Sequence, residues 1–210
     1  MFLTGLAGVG KTTTIKIAEH FCFKFCKAAG IPWSGKTFLF TAYTGSVTSA
    51  FDDVTICKAT YIKKTTPLNK SDMDQQKDVQ ILSVDEISFI EASEMLKLDQ
   101  NLQRLGDSTQ PFGGFSIVFV GNLRQLDPPA AKDTDLLFSR MLGGHWENLL
   151  SAVIFLENKH RFKINKSYGR LLKRMWDGDL QVKDRKWINK RVVGRRGCVQ
   201  IPKSRQVWKQ

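Results

Sequence analysis

The first fourteen residues constrain the fold of this chain more than any other segment. An apolar run at residues 1–3 leads into GLAGVGKT at residues 5–12, and a stretch with helical spacing follows. This is the G-x-x-x-x-G-K-[ST] pattern of a phosphate loop, set between a strand and a helix as the motif requires. It predicts a site for a nucleoside triphosphate. A glycine-rich turn that contains Lys and Thr by chance is the alternative.

Each residue of this loop has an expected role. Glycines let the backbone wrap around phosphates, and the helix that follows adds the positive end of its dipole. The Lys11 ammonium would reach the β- and γ-phosphates and act in catalysis, and the Thr12 hydroxyl would hold Mg²⁺. The residues expected to bind the nucleotide are Gly5, Gly8, Gly10, Lys11, Thr12 and Thr13.

The same pattern occurs a second time, as GIPWSGKT at residues 30–37. The context is inverted there, because a predicted helix precedes the motif and a predicted strand follows it. Pro32 lacks a backbone donor that a phosphate cradle needs, and Trp33 would crowd the close approach that glycine permits. We interpret this segment as an ordinary connection between a helix and a strand.

Charge is distributed unevenly along the 210 residues, whose formal net charge is +12. Residues 157–210 contain 17 Lys and Arg but only 4 Asp and Glu, so residues 1–156 are close to neutral. This asymmetry predicts a polyanionic partner on the C-terminal side. A truncated or poorly folded tail that is basic by chance is the alternative. No apolar run is long enough for a membrane span, and the N-terminus lacks a signal-peptide pattern.

Hydrophobic periodicity predicts strands that alternate with helices. Besides residues 1–3, the predicted strands are 37–42, 80–84, 115–120 and 152–156, and the predicted helices are 12–29, 87–105, 135–142, 146–150 and 167–176. We interpret the polar residues 58–78 as a loop or insertion and residues 111–114 as a turn. The alternation is typical of an α/β fold in which helices cover both faces of a parallel sheet.

The four cysteines show no metal-binding or redox spacing. Cys22 and Cys26 lie one helical turn apart on the predicted buried face of the first helix. We expect them to be core thiols of a protein in a reducing compartment.

Two carboxylates follow the predicted strand 80–84. Ligands of an α/β sheet bind at the carboxyl ends of its strands, so Asp85 and Glu86 should lie beside the phosphate loop. Asp85 would hold Mg²⁺, directly or through water, and Glu86 would orient or deprotonate the attacking water.

A third segment, FGGFSIVFVGNLRQLDPP at residues 112–129, continues an apolar strand into a polar loop. The amide of Gln125 both donates and accepts hydrogen bonds, which suits contact with a γ-phosphate or the lytic water. Gln is also a common loop residue, so both interpretations stay open from the residues alone.

Five segments, in order along the chain, resemble the helicase motifs of the Pif family: FLTGLAGVGKTTT, FTAYTGSVTSAF, ILSVDEISFI, FGGFSIVFVGNLRQLDPP and LENKHRF. These are superfamily-one, ATP-dependent DNA helicases that move 5′ to 3′ and act in DNA repair, recombination and telomere or genome maintenance. The resemblance implies a RecA-like phosphate-loop NTPase fold, ATP and Mg²⁺ as cofactors and single-stranded DNA as partner. It also implies an intracellular protein, nuclear in the first place, with a mitochondrial, viral or mobile-element origin as alternatives.

The resemblance further implies roles for individual residues. Arg161 matches an arginine that approaches the γ-phosphate; a surface charge in a basic segment is the alternative. Matches to the other ATPase residues of the family are Lys11, Thr12, Asp85, Glu86 and Gln125. Matches to a loop that touches the DNA backbone are Thr41, Thr44 and Gly45.

Three residues depart from the family pattern. Asn122 stands where Asp is usual, and Cys57 where a DNA-facing His is usual. Tyr43 stands where Pro is common, and its ring could stack on a base or pack inside the sheet.

By the resemblance, residues 1–157 form the first RecA-like ATPase lobe, and residues 158–210 form the basic start of a truncated second lobe. We expect a single lobe to bind nucleotide without unwinding a duplex alone, and residues 180–210 to lack order. The leading hypothesis is the motor lobe of a DNA helicase. The alternatives are an inactive helicase fragment that binds DNA through its basic C-terminal third, and a phosphate-loop kinase or another ATPase.

Overall fold

The computed structural model describes residues 1–43, 54–125, 127–128, 132, 136–137, 149–157 and 165–192. The chain divides into two compact units, Met1–Arg161 and Phe162–Gln210. That these units correspond to two helicase lobes, with a boundary after residue 157, stays a prediction.

A parallel sheet forms the centre of the first unit. Its described strands are β1 (Phe2–Gly5), β2 (Phe38–Ala42), β3 (Val54–Thr55), β4 (Ile81–Asp85), β5 (Ser116–Gly121) and β6 (Val153–Leu156). Their spatial order is β3-β2-β4-β5-β1-β6, and each neighbouring pair is parallel. The predicted α/β architecture is therefore confirmed, and the carboxyl ends of the strands meet along one edge.

Helices lie on both faces of this sheet. Those described are α1 (Lys11–Ala29), α2 (Ile56–Ala59), α3 (Lys70–Gln76) and α4 (Ala92–Leu105), with 3-10 helices at Ile87–Phe89 and Pro111–Gly114. Successive strand residues point to opposite faces. Accordingly, Phe119 packs in the cluster that contains Leu98 of α4, whereas Val120 packs with Ile15 of α1.

Helix α1 is less buried than its sequence predicts. Ile15 is buried, but Cys22 and Cys26 are only half-buried and Phe25 is 59% exposed. The two thiols were expected in the core, but they lie at its border, where Cys22 packs against the cluster that contains Ile15. A helix of 19 residues is about 28 Å long, whereas strands of 4 or 5 residues extend about 15 Å, so the last turns of α1 have little sheet to cover.

The polar segment 58–78 is not a continuous loop, because it contains helix α3. Asn69 caps this helix: its side chain accepts a hydrogen bond from the Asp72 N–H at 3.1 Å, and Asp72 accepts one from the Asn69 N–H at 2.8 Å. Lys64 forms an ion pair with the same Asp72 carboxylate. The helix begins through this capping box rather than through an apolar stripe, which is why periodicity missed it.

The helix predicted at residues 87–105 is interrupted. Ile87–Phe89 form a 3-10 turn, and Ile90 is extended before α4 begins. Glu91 is the N-cap of α4 and forms a capping box with Glu94. The helices predicted at residues 135–142 and 146–150 lie almost entirely outside the described residues.

The described part of the second unit is a pair of helices, α5 (Lys166–Asp177) and α6 (Val182–Asn189). The Asn165 side chain caps α5, and Gly178 ends it in the left-handed conformation at φ 75°. Helix α5 was predicted. Helix α6 lies where we expected no order, and it begins with a capping box between Gln181 and Asp184. Among the described residues, no helix has the length and apolar character needed to cross a bilayer.

Candidate nucleotide-binding site

A cleft of about 550 Å³ opens at the carboxyl ends of β1, β4 and β5. Most of the predicted nucleotide and catalytic residues of the first unit meet in it. Its lining is formed by Ala7, Gly8, Gly10, Lys11, Thr12, Thr13, Asp85, Glu86, Gly121 and Gln125. Of the residues expected to bind nucleotide, Gly5 does not line the cleft but ends β1 directly before the loop.

The phosphate loop joins β1 to α1 through two glycines in the left-handed conformation. Gly8 has φ 79°, and Gly10, the N-cap of α1, has φ 92°. Other residues rarely adopt these angles, so the loop requires glycine at both positions. The Lys11 ammonium donates to the carbonyl oxygens of Gly5 at 3.0 Å and Leu6 at 3.3 Å. Its charge therefore lies over the loop that the sequence assigned to phosphates.

The two carboxylates of the site are held differently from each other. Asp85 ends β4, and its Oδ1 accepts a hydrogen bond from the Glu86 N–H at 2.8 Å. Glu86 has φ 57° and ψ 43°, a left-handed conformation that a non-glycine residue seldom adopts. Strained backbone of this kind clusters at functional sites. The chain turns away from β4 directly after the two carboxylates, at the 3-10 helix Ile87–Phe89.

Burial dominates the electrostatics of this pair. It raises the pKa of Asp85, against the opposing effects of the Glu86 N–H and the Lys11 charge. Burial also raises the pKa of Glu86, and the neighbouring Asp85 raises it further, while Lys11 acts in the opposite direction. Both groups would gain from a cation that enters the cleft.

The donor set of the cleft fits Mg²⁺. Mg²⁺ prefers hard oxygen ligands and keeps several of its waters, so one hydroxyl and one carboxylate suffice beside phosphate oxygens. Thr12 and Asp85 line the same cleft and provide them. In the part of the chain that is described, no group of three or more His, Cys, Asp or Glu forms a metal cage of its own.

The end of β5 forms part of the lining of the cleft. Gly121 has φ 155°, and a Cβ there would lie 2.8 Å from the Ile87 Cγ2 atom. Glycine thus allows β5 to approach the turn after Glu86. The buried Asn122 accepts a hydrogen bond from the Arg124 N–H at 2.9 Å through its side chain, and its carbonyl accepts one from the Gln125 N–H at 3.0 Å. This turn presents Gln125 to the cleft.

Sequence reasoning gave Gly121 no role in the site, and it noted Asn122 as a departure from the family whose lost charge could weaken contacts to Mg²⁺ or between motifs. An Asn at the start of a polar loop is a known signal for a side-chain turn of this kind. Asp would accept the same hydrogen bond, so Asn122 keeps this part of the geometry. The contact of Gly121 with Ile87 has no local signal, because it joins two segments distant in sequence.

Thr41 is the predicted DNA-contacting residue that the structure describes, and it does not line the cleft. Thr41 is only 2% exposed, and its hydroxyl donates to the Ser83 carbonyl at 2.9 Å. Its side chain joins β2 to β4, and this burial argues against the expected contact with DNA. Thr44, Gly45 and Arg161 lie outside the described residues.

Tyr43 packs within the protein. Its ring stacks on Phe89 with centroids 6.2 Å apart, and its hydroxyl donates to Glu94 at 3.2 Å. Burial and the Glu94 charge raise its pKa to about 12. The sequence left open whether this ring stacks on a DNA base or packs within the protein, and in the structure it packs within the protein. Cys57, at the other departure, is half-buried, and burial raises the pKa of its thiol.

The second G-x-x-x-x-G-K-T motif forms a closed turn. The Ser34 N–H donates to the Thr37 hydroxyl at 2.9 Å, and the Thr37 N–H donates to the Ser34 carbonyl at 3.1 Å. The Lys36 ammonium donates to the Gln75 carbonyl at 3.0 Å. The structure confirms a connection that leads from α1 into β2.

The sequence model of the AAA domain family matches residues 1–131. A helicase of Psychrobacter sp. (strain PRwf-1), "ATP-dependent DNA helicase Pif1", is 26% identical over 172 residues, or 77% of this chain and 25% of the relative. The "ATP-dependent DNA helicase RRM3" of Saccharomyces cerevisiae is 26% identical over 177 residues, or 79% of this chain and 24% of the relative. The chain thus spans about a quarter of the length of these relatives.

Solved structures agree with this assignment at the level of the fold. The Pif1 helicase from Candida albicans superposes with a TM-score of 0.74 at 21% identity, over 97% of this chain and 45% of that one. A Bacteroides Pif1 bound to single-stranded DNA gives a TM-score of 0.68 at 21% identity, over 93% of this chain and 46% of that one. The RecA-like fold and the resemblance inferred from the motifs are confirmed. The chain therefore belongs to the AAA domain family, and it is similar to Pif1-type helicases over most of its length.

Proposed function

We propose that this chain is the ATP-hydrolysing motor lobe of a DNA helicase that moves 5′ to 3′ on single-stranded DNA. One observation carries the proposal: a single cleft brings together Lys11, the Asp85–Glu86 pair and Gln125. Two relatives support the activity, being named ATP-dependent DNA helicases. One solved relative is a Pif1 helicase in complex with ADP-AlF3 and single-stranded DNA.

The residues of the cleft divide the chemistry between them. Lys11 moves from the carbonyls of Gly5 and Leu6 to the phosphates, where its charge stabilises the developing negative charge. Thr12 and Asp85 would hold Mg²⁺, which would supply Lewis-acid stabilisation of the phosphate oxygens. The loop glycines Gly8 and Gly10 and the first turn of α1, with Thr13, surround the phosphates.

Glu86 is the proposed general base. It accepts the proton of the water whose oxygen bonds to the γ-phosphorus while the bond from phosphorus to the ADP oxygen breaks. A base is most efficient when its pKa is close to the working pH, so the burial that raises the pKa of Glu86 favours this role. Gln125 orients the same water through its amide, and Arg161 would stabilise the γ-phosphate charge.

The proposed partner, single-stranded DNA, follows from the relatives and from the basic C-terminal side of the chain. Contacts by Thr44 and Gly45 stay part of the proposal; Thr41 is left out because it is buried. Since the relatives process DNA, the chain is expected to act inside the cell, and the nucleus is the compartment that we propose.

Steady-state ATP hydrolysis with and without an oligo-dT strand tests the proposal. We expect turnover that rises when the strand is added, and a loss of about 10²-fold or more in Glu86→Gln, because the base is gone. Binding of Mg²⁺–ATP by the same variant, followed by titration, should stay within about threefold of wild type. Turnover that is unchanged in Glu86→Gln would refute the assigned base. Binding of ATP without any turnover would refute the motor activity and favour the inactive, DNA-binding alternative.

A further inference from the structure

The hairpin formed by α5 and α6 carries a large excess of positive charge. Residues 165–192 contain nine Lys and Arg but three Asp. Asp177 pairs with Lys173 at 2.9 Å and Asp184 with Arg174 at 2.5 Å. No ion pair joins the other seven cations to a carboxylate of the described residues, although Lys183 lies close enough to Asp184 to help lower the pKa of that carboxyl. The nine cations and three carboxylates leave the hairpin with a formal charge of +6, which would attract a polyanion.

A pocket of about 440 Å³ lies between the two helices and concentrates part of this charge. Leu171 and the indole of Trp187 give it apolar walls. Arg170, Lys183 and Ser167 are exposed, and they add two cations and a hydroxyl at its rim. The complete lining is Ser167, Arg170, Leu171, Arg174, Lys183, Asp184 and Trp187.

An ion pair between the half-buried Arg174 and the buried Asp184 joins the two helices. The Arg174 Nε donates to Asp184 Oδ2 at 2.6 Å, and its Nη2 donates to Oδ1 at 2.5 Å. The Gln181 N–H also donates to Asp184 Oδ2, at 3.1 Å. Arg174 holds the pKa of Asp184 below its ordinary value, so this carboxylate stays ionised and neutralises Arg174 rather than repelling an anion. The pocket is thus built before any ligand arrives, and its net charge comes from Arg170 and Lys183.

Trp187 is also held in place. The guanidinium carbon of Arg191 lies 3.2 Å from the centroid of its ring, and the Tyr168 ring lies 5.9 Å from it. The Arg191 Nη1 also donates to the Trp187 carbonyl at 3.3 Å. Arg191 therefore fixes the residue that forms one apolar wall of the pocket, without lining the pocket itself.

We propose that this pocket binds a phosphate group of single-stranded DNA, with Arg170 and Lys183 as the cationic ligands and Ser167 as a hydroxyl donor. The proposal deepens the proposed function, because it takes single-stranded DNA as the partner and names a contact to it outside the nucleotide cleft. Phosphate contacts of this kind hold the strand without reading its sequence.

The test measures the affinity of the full chain for a fluorescein-labelled oligo-dT by anisotropy at several salt concentrations. The variant is Arg170→Ala combined with Lys183→Ala. The matched control is Arg185→Ala combined with Lys186→Ala, which removes equal charge from the same hairpin at positions that do not line the pocket. We expect the pocket variant to bind about tenfold more weakly, and its salt slope to become shallower by about 0.7, since one single-strand phosphate contact is lost.

The control should keep an affinity within about threefold of wild type. Equal losses in both variants would overturn the proposal and leave a general charge effect. An unchanged affinity of the pocket variant would also overturn it. Circular dichroism and Mg²⁺–ATP binding of each variant separate these outcomes from misfolding. If wild type binds Mg²⁺–ATP but no oligo-dT, the pocket is refuted while the nucleotide site stands. If wild type binds oligo-dT but no Mg²⁺–ATP, the nucleotide site is refuted, and the two double variants still decide whether the pocket binds the strand.

Discussion

At the scale of single residues, the site contains two carboxylates whose ionised forms are destabilised by burial in the fold. Asp85 and Glu86 are adjacent carboxylates, and burial raises the pKa of both. Among the described residues, the charge that opposes this effect is Lys11, and its ammonium is held by loop carbonyls. Such a site lowers the stability of the unliganded protein, because the positive charge that would balance these carboxylates comes with the bound ligand.

This cost predicts the pH dependence of stability. Since the folded pKa of Asp85 exceeds the unfolded value of about 4, the folded state binds more protons in the interval between them, and stability falls as pH rises through it. Asp85→Asn should remove this loss and raise Tm at pH 7 by about 2–4 °C in the absence of Mg²⁺. Thermal unfolding followed by circular dichroism from pH 4 to 8 provides the measurement.

The exposed Asp74 of α3 supplies the control for this substitution. Asp74→Asn should leave Tm unchanged, and the gain from Asp85→Asn should grow with pH. A lower Tm for Asp85→Asn at pH 7, or a difference independent of pH, would show that burial of the Asp85 charge does not control the stability of the site.

At the scale of elements, the site depends on how closely β5 and the segment after β4 approach each other. Gly121 makes this possible, because any side chain there would meet Ile87. Ile87 directly follows the pair Asp85–Glu86, and Gly121 lines the same cleft as Gln125. A change at this contact should therefore affect the stability of the whole first unit as well as the site.

Gly121→Ala tests this contact. The added Cβ would lie 2.8 Å from the Ile87 Cγ2 atom on backbone with φ 155°, so we expect a loss of about 2–4 kcal/mol in the free energy of unfolding. Urea denaturation measures it. Gly35→Ala is the matched control, because a Cβ at Gly35 meets no atom within 4 Å. If the two variants were equally stable, the close approach would not be a constraint.

Local chemistry explains which parts of the site were predictable from the sequence. The phosphate loop and the pair Asp85–Glu86 were recognisable because each motif follows its own strand directly. The role of Gly121 was not, since it arises from a contact with Ile87 in another segment. Thr41 was predicted to contact DNA by motif alone, whereas its burial against Ser83 depends on the pairing of β2 with β4.

The helices and strands also divide into those that the sequence predicted and those that it did not. Periodicity found the strands that carry the core and the amphipathic helices, but it missed α3 and α6, which are short and polar. Both begin with capping boxes, at Asn69 and Gln181. Such boxes are visible in a sequence, but they outweigh a polar composition only when tertiary contacts support the helix. The Arg174–Asp184 pair gives that support to α6.

At the scale of the whole molecule, the chain combines a near-neutral nucleotide-binding unit with a strongly basic second unit. The first contains the cleft of Lys11, Asp85, Glu86 and Gln125, and the second contains the hairpin pocket. The two motifs of the form G-x-x-x-x-G-K-T allow the central claim to be tested within one chain. Lys11 lines the cleft, whereas Lys36 bonds the Gln75 carbonyl on a closed turn.

The most direct test is calorimetric titration of Mg²⁺–ATP into wild type, Lys11→Ala and Lys36→Ala. We predict one site in wild type, binding at least about 100-fold weaker in Lys11→Ala, since a charge-assisted phosphate contact is lost, and unchanged binding in Lys36→Ala. Binding that survives in Lys11→Ala, or that is lost equally in Lys36→Ala, would contradict a nucleotide site at the first phosphate loop.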